Sequence, residues 1–172
     1  MGMLLAFAPF IAFAIVDRLA GSVEGLVAGA VVSMVLLVRD RFTPGRSPKA
    51  LEIGTAVLFT GLAIYALFGA PTWSVIGVRL CVDAGLLVIV LGSMALRRPF
   101  TLQYARESVP EASWNTPEFL RVNYVITAAW AVAFAVMVIA ELCLLYVPDF
   151  PRRAGVIVII AALVAAVKFT GW

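Results

Sequence analysis

The sequence predicts an all-α fold, a polytopic membrane helix bundle with six transmembrane helices arranged as three helical hairpins. Three observations predict it. Of the 172 residues, 63% are hydrophobic and 13% charged, whereas a soluble domain carries about 25% charged residues. Mean hydropathy is +1.06, which leaves too little polar surface to face water. The apolar residues gather into runs near the roughly 20 residues that cross a bilayer core about 30 Å thick.

The spans fall at about 3–20, 22–39, 49–69, 72–96, 117–147 and 152–171, in one integral membrane domain. The first apolar run, from Met3 to Val16, ends at Asp17-Arg18, and the second, from Gly25 to Val38, ends at Arg39-Asp40-Arg41. Both reach spanning length when Asp17, Arg18 and Glu24 lie at the interface of a tight hairpin. The alternative is five spans preceded by a re-entrant first segment. Ser47-Pro48 and Thr116-Pro117 each offer a cap hydroxyl followed by proline. Proline suits a first helical position because its missing N–H has no partner there anyway. Gly69-Ala70-Pro71 and Pro148-Asp149-Phe150-Pro151 supply the short turns.

Lysine and arginine set the orientation. Arg39, Arg41, Arg46 and Lys49 share one loop; Arg97, Arg98, Arg106 and Arg121 share another, and Lys168 lies near the C-terminus. Arg18, Arg152 and Arg153 fall on the other side. By the positive-inside rule this puts both termini in the cytoplasm, for a multi-pass protein of the bacterial inner membrane. Met1-Gly2-Met3-Leu4 has no basic region or cleavage pattern and reads as the start of the first span, not a removable signal. The excess positive charge of +3 belongs to those loops and suits anionic headgroups. It does not indicate nucleic acid, which would need a folded basic surface with aromatics.

Several chemistries are excluded. The sequence has no histidine, so imidazole-ligated haem or zinc and the Ser-His-Asp and Cys-His hydrolytic arrangements are absent. Cys81 and Cys143 both lie in apolar runs, where a thiol acts as a small hydrophobe. No catalytic residue, metal site or cofactor is expected, and the chain does not read as an enzyme.

Three features could carry mechanism. Gly21, Gly25, Gly29 and Ser33 place a small residue every four positions in the second span. Such a groove admits a second backbone, either the chain's own first helix or a second copy in a homo-oligomer. Arg79 and Asp83 stand four residues apart on one helix face. Counted from Trp73 they lie about 9 and 15 Å deep, and Glu141 lies about 10 Å below the same surface, at ~1.5 Å per residue. Each charge costs roughly 2.5–3.5 kcal/mol on insertion scales, against about 0.3–0.6 returned per Leu, Ile or Val, so the fourth span is marginal alone. Intramembrane ionisable groups are functional candidates or structural ion pairs, and a coupled role would titrate Asp83 or Glu141.

Glu52 and Lys168 could snorkel to the interface or pair with each other. Trp73, Tyr104, Trp114 and Trp172 read as belt residues, while Trp130 lies inside a span. In the loop from Arg97 to Glu118, Pro99 could open a short amphipathic helix with Phe100 and Tyr104 on one face.

Four short motifs stand out: Phe7-Ala8-Pro9-Phe10-Ile11-Ala12-Phe13, Arg97-Arg98-Pro99 followed by Glu107, Arg121-Val122-Asn123, and Trp130-Ala131-Val132-Ala133-Phe134. Together they resemble the intracellular septation protein A family of bacterial inner-membrane-spanning proteins. Trp130 follows Asn123 by seven residues where the family has three, one helical turn more and hence on the same face. Glu141 stands where the family carries asparagine, and Asp83 has no counterpart there. The resemblance implies a membrane scaffold of envelope biogenesis, septation or cell division, whose partners are the lipid bilayer and other envelope proteins. The alternative is a small oligomeric transporter or channel using Arg79, Asp83 and Glu141.

Overall fold

The computed structural model describes residues 5–43, 49–69 and 72–171. Arg46, the Ser47-Pro48 cap, the Ala70-Pro71 turn, Trp172 and the first four residues lie outside them. Among the described residues every regular element is helical. Contacts divide the chain into two compact units, Met1–Trp73 and Ser74–Trp172. The division falls inside the middle hairpin expected from the sequence.

The first unit holds α1 (Ala8–Leu19), α2 (Ser22–Phe42) and α3 (Ala50–Gly69). The second holds α4 (Val75–Ala95), α5 (Phe100–Arg106), a 3-10 turn (Glu111–Ser113), α6 (Pro117–Tyr146) and α7 (Arg152–Thr170). Helices α2, α3, α4, α6 and α7 are long and apolar enough to cross a membrane. Large apolar side chains stay exposed along them, among them Val57 at 69%, Val88 at 68% and Ile157 at 65%. Lipid is the solvent that suits such a surface, and the chain is a multi-pass membrane protein.

Helix α1 is the exception to the six expected lengths. Its 12 residues rise only about 18 Å. Pro9 sits in its first turn, where the missing N–H costs nothing. The chain then reverses at Gly21, whose φ of 131° belongs to glycine. Ser22 Oγ donates to Asp17 Oδ1 at 2.6 Å across this corner, which gives the buried carboxylate a partner.

The small residues of α2 serve two neighbours. A Cβ on Gly25 would stand 3.0 Å from the backbone N of Asp17 in α1, and one on Gly29 only 2.5 Å from the Phe59 ring in α3. Ser33 Oγ donates back to the Gly29 carbonyl at 2.7 Å. Phe59 is fully buried and also meets Phe10 and Phe13 of α1, with ring centroids 5.1 and 5.7 Å away. Three helices thus converge on one ring, and the missing side chain at Gly29 is what seats it.

In the second unit, Ser74 Oγ caps α4 by accepting from Gly77 N at 3.0 Å. Thr116 Oγ1 caps α6 by accepting from Phe119 N at 3.4 Å, with Pro117 in the first turn. Short α5 follows Pro99 as the sequence predicts, but its aromatic face turns into the protein, since Phe100 and Tyr104 are both buried. Thr101 Oγ1 bonds to the Asn123 carbonyl at 2.9 Å and to Thr127 Oγ1 at 2.8 Å, fixing α5 to α6. At 30 residues, α6 runs about 45 Å and packs against α4, α5 and α7.

Gly29→Ala is expected to lower thermal stability in detergent by about 1–3 kcal/mol, the usual cost of overpacking a filled core. Gly61→Ala in α3, where a Cβ meets nothing within 4 Å, is the control and is expected to change little. Equal melting temperatures for both variants would refute the seating of Phe59 on Gly29.

Candidate intramembrane carboxyl site

Helix α4 carries Arg79 in its second turn and Asp83 one turn further, so both point the same way. Helix α6 packs against it and brings Glu141 to the same place. The Asp83 and Glu141 carboxyl groups lie near enough to act on each other, and the Arg79 guanidinium acts electrostatically on both. The three residues expected to cluster are therefore brought together. Cys81 lies within electrostatic reach of Glu141 from the same helix.

Glu141 is 2% exposed, and its Oε2 has no hydrogen-bond partner among the described residues. Burying a polar oxygen without a partner costs roughly 1–3 kcal/mol. The site thus holds one guanidinium and two carboxyl groups. Among the described residues no three His, Cys, Asp or Glu side chains gather as a metal would require.

The remaining sequence candidates go elsewhere. Gly21 makes the α1–α2 corner, while Gly25, Gly29 and Ser33 serve packing inside the first unit. Arg97, with φ 56°, and Arg98 are exposed at the turn after α4, and Pro99 is buried beside them. Arg121 is exposed; Asn123 is buried, its Nδ2 donating to the Phe119 carbonyl at 2.9 Å. Trp130 Nε1 donates to Thr170 Oγ1 at 2.8 Å, tying α6 to the end of α7. Trp130 lies eleven residues from Glu141, about 16 Å along the helix, so these motif residues do not join the carboxyl site.

A second charged cluster escaped the sequence reading. Asp40, fully buried, takes Arg39 Nη2 at 2.6 Å on Oδ1 and Lys49 Nζ at 3.5 Å on Oδ2. Lys49 Nζ also lies 3.6 Å from Glu52 Oε1, and Glu52 Oε2 accepts from the Lys49 N–H at 3.2 Å. The partner of Glu52 is thus Lys49, and Lys168 is exposed on the other unit. An acid three residues into a helix that bonds the N–H just ahead of it is half a capping box. That spacing is the available signal; Asp40, between two arginines at the end of an apolar run, carries no comparable pattern.

No protein-family model, curated protein or solved structure matches this chain. The site must be read from its own chemistry.

Glu141→Gln is expected to hold wild-type thermal stability, because the amide keeps the shape of the side chain, buries no charge and can donate to Asp83. Arg79→Met removes the guanidinium beside the acid pair and should cost on the order of 1–3 kcal/mol, less than a fully buried pair because Arg79 is only half-buried. Acid neutralises the stranded carboxylate, so the Arg79→Met deficit should shrink as pH falls. A deficit that grows in acid would contradict the arrangement.

Proposed function

We propose that the chain is a small transporter or channel of the bacterial inner membrane, with both termini cytoplasmic and Arg79, Asp83 and Glu141 as its ion-coupling element. The observation that carries this reading is the carboxyl pair of half-buried Asp83 and fully buried Glu141, the latter with one unpartnered oxygen among the described residues, inside helices long and apolar enough to cross a membrane. A bundle needing only stability is served as well by apolar side chains, since replacing a buried ion pair with well-packed hydrophobes is often neutral or stabilising. Charges kept at this depth in lipid point to use. In this reading the stretch 3–20 completes a sixth crossing, in keeping with nine basic residues on the inner side and three on the outer.

Reconstituted into sealed vesicles loaded with a pH-sensitive dye, the wild type should dissipate an imposed proton or sodium gradient, and Asp83→Asn should abolish that flux. Identical traces from wild type, Asp83→Asn and empty vesicles would sink the transport reading.

A second reading, an envelope or septation scaffold, is favoured by the firm seating of α5 on α6 through Thr101, Asn123 and Thr127. That seating holds the turn bearing exposed Arg97 and Arg98 in a fixed position, as a protein-binding ledge requires. A photo-cross-linker at Arg98 should capture a discrete envelope or division protein in cells. The same products from a cross-linker at exposed Ile157 would reject the ledge.

A further inference from the structure

We infer that the hollow between α6 and α7 binds one acyl chain of an anionic glycerophospholipid, whose phosphate meets Lys168 at the mouth of the groove. The site lies wholly in the second unit and includes neither member of the carboxyl pair. It stands whether or not the chain transports an ion.

Two close contacts hold α6 against α7, one near each end of α7. Trp130 Nε1 donates to Thr170 Oγ1 at 2.8 Å. Gly155 comes so near Leu144 that a Cβ would stand 2.8 Å from its side chain. Between these contacts the facing residues are small: Ala129 and Ala133 on α6, and Ala162, Ala165 and Ala166 on α7. Alanines are too short to fill the space that the end contacts set, and a hollow of about 520 Å³ remains. Its walls are hydrocarbon throughout, from Val136 and Val158 at one end to Phe169 at the other. Left empty, such walls forfeit dispersion contacts on one side. In a bilayer the molecule at hand to restore them is a hydrocarbon chain.

The dimensions select a chain over a helix. Val158 and Phe169 are eleven residues apart, about 16 Å along the helix. Spread over that length, the hollow has a cross-section of about 30 Å², against roughly 80 Å² for a helix 10 Å across. A helix of a second copy is too wide to enter, whereas a single file of methylenes fits.

Charge gives the direction. Exposed Lys168 lies seven and three residues after Ala161 and Ala165, hence on their face, and it adjoins Phe169 at the mouth. Exposed Arg121 lies eleven and fifteen residues before Val132 and Val136, on the face of α6 that borders the hollow. It stands about 14 Å beyond Trp130 along α6 and adds positive field at the same end. Neither cation has an ion-pair partner among the described residues. Arg152 and Arg153 belong to the other end of α7, where they border a separate hollow with Val156 and Ile157. A chain lying in the groove therefore brings its phosphate to Lys168. An anionic headgroup suits that lysine because it carries no cation of its own to repel it.

The test uses the full-length protein in phosphatidylcholine vesicles with a small fraction of phosphatidylglycerol bearing a photoreactive diazirine in one acyl chain. After illumination, peptide mapping should find the label concentrated at residues 129–136 and 158–169. Excess unlabelled phosphatidylglycerol should displace it, and the same amount of phosphatidylcholine should not. Lys168→Gln should lower the labelling about fivefold, the weight of one cation near an anionic lipid surface, and Lys168→Arg should restore it. Ala165→Phe fills the groove and should abolish labelling there, whereas Val88→Phe, on an exposed face of α4, should not. Label spread evenly over all the apolar helices, equal displacement by the two lipids, or labelling indifferent to Lys168→Gln would overturn the inference. So would dimers cross-linked specifically through Ala165→Cys, which would put a second copy over the groove. The lipid competition needs only the wild type, so it decides the matter even where a variant fails to fold.

Discussion

Inside a bilayer a charge or an unpaired polar group has no water to turn to, and each must find its partner within the chain. That constraint is visible at three groups of acidic side chains in this protein. Asp17 takes a serine hydroxyl across the first corner. Asp40 is held between an arginine and a lysine where α2 hands over to α3. Asp83 and Glu141 take each other, with Arg79 alongside. Each pairing joins two elements, so the chemistry that makes charge tolerable in lipid also holds the helices together.

Close approach provides the rest of the cohesion. Lipid tails are as apolar as leucine, so burial of apolar side chains drives membrane helices together less than contact and hydrogen bonding do. The first unit meets this with glycines that admit Asp17 and the Phe59 ring. The second uses hydroxyls and an indole: Thr101 to Thr127 and the Asn123 carbonyl, Trp130 to Thr170. Helix α7 buries only Gly155 and Ala166, so its tie to α6 depends heavily on the latter bond and on Gly155 seating Leu144.

Within this frame the carboxyl site stands apart from the structural pairings. Asp40 and Asp17 have partners that complete them, whereas Glu141 retains an oxygen without one. A fully satisfied network stiffens a fold, whereas a buried oxygen without a partner is costly to keep. This difference separates the acid pair of α4 and α6 from the ion network at the start of α3, though both are buried carboxylates beside arginine or lysine.

The sequence by itself determined the solvent, the helical class, the cap at Thr116 with its proline, and the three charged residues of α4 and α6 that come together. Each of these is local or follows from depth, because hydropathy sets which segments enter lipid and rise per residue sets how deep a charge lies. Tertiary structure alone decided which groups touch. Gly29 faces Phe59 because α2 lies between α1 and α3; Glu52 turns to Lys49 because the acid closes its own helix start; Phe100 and Tyr104 turn inward because Thr101 finds Thr127 and the Asn123 carbonyl. The division between α3 and α4 was equally invisible, since a pattern of apolar runs records that helices cross lipid and not which of them pack together.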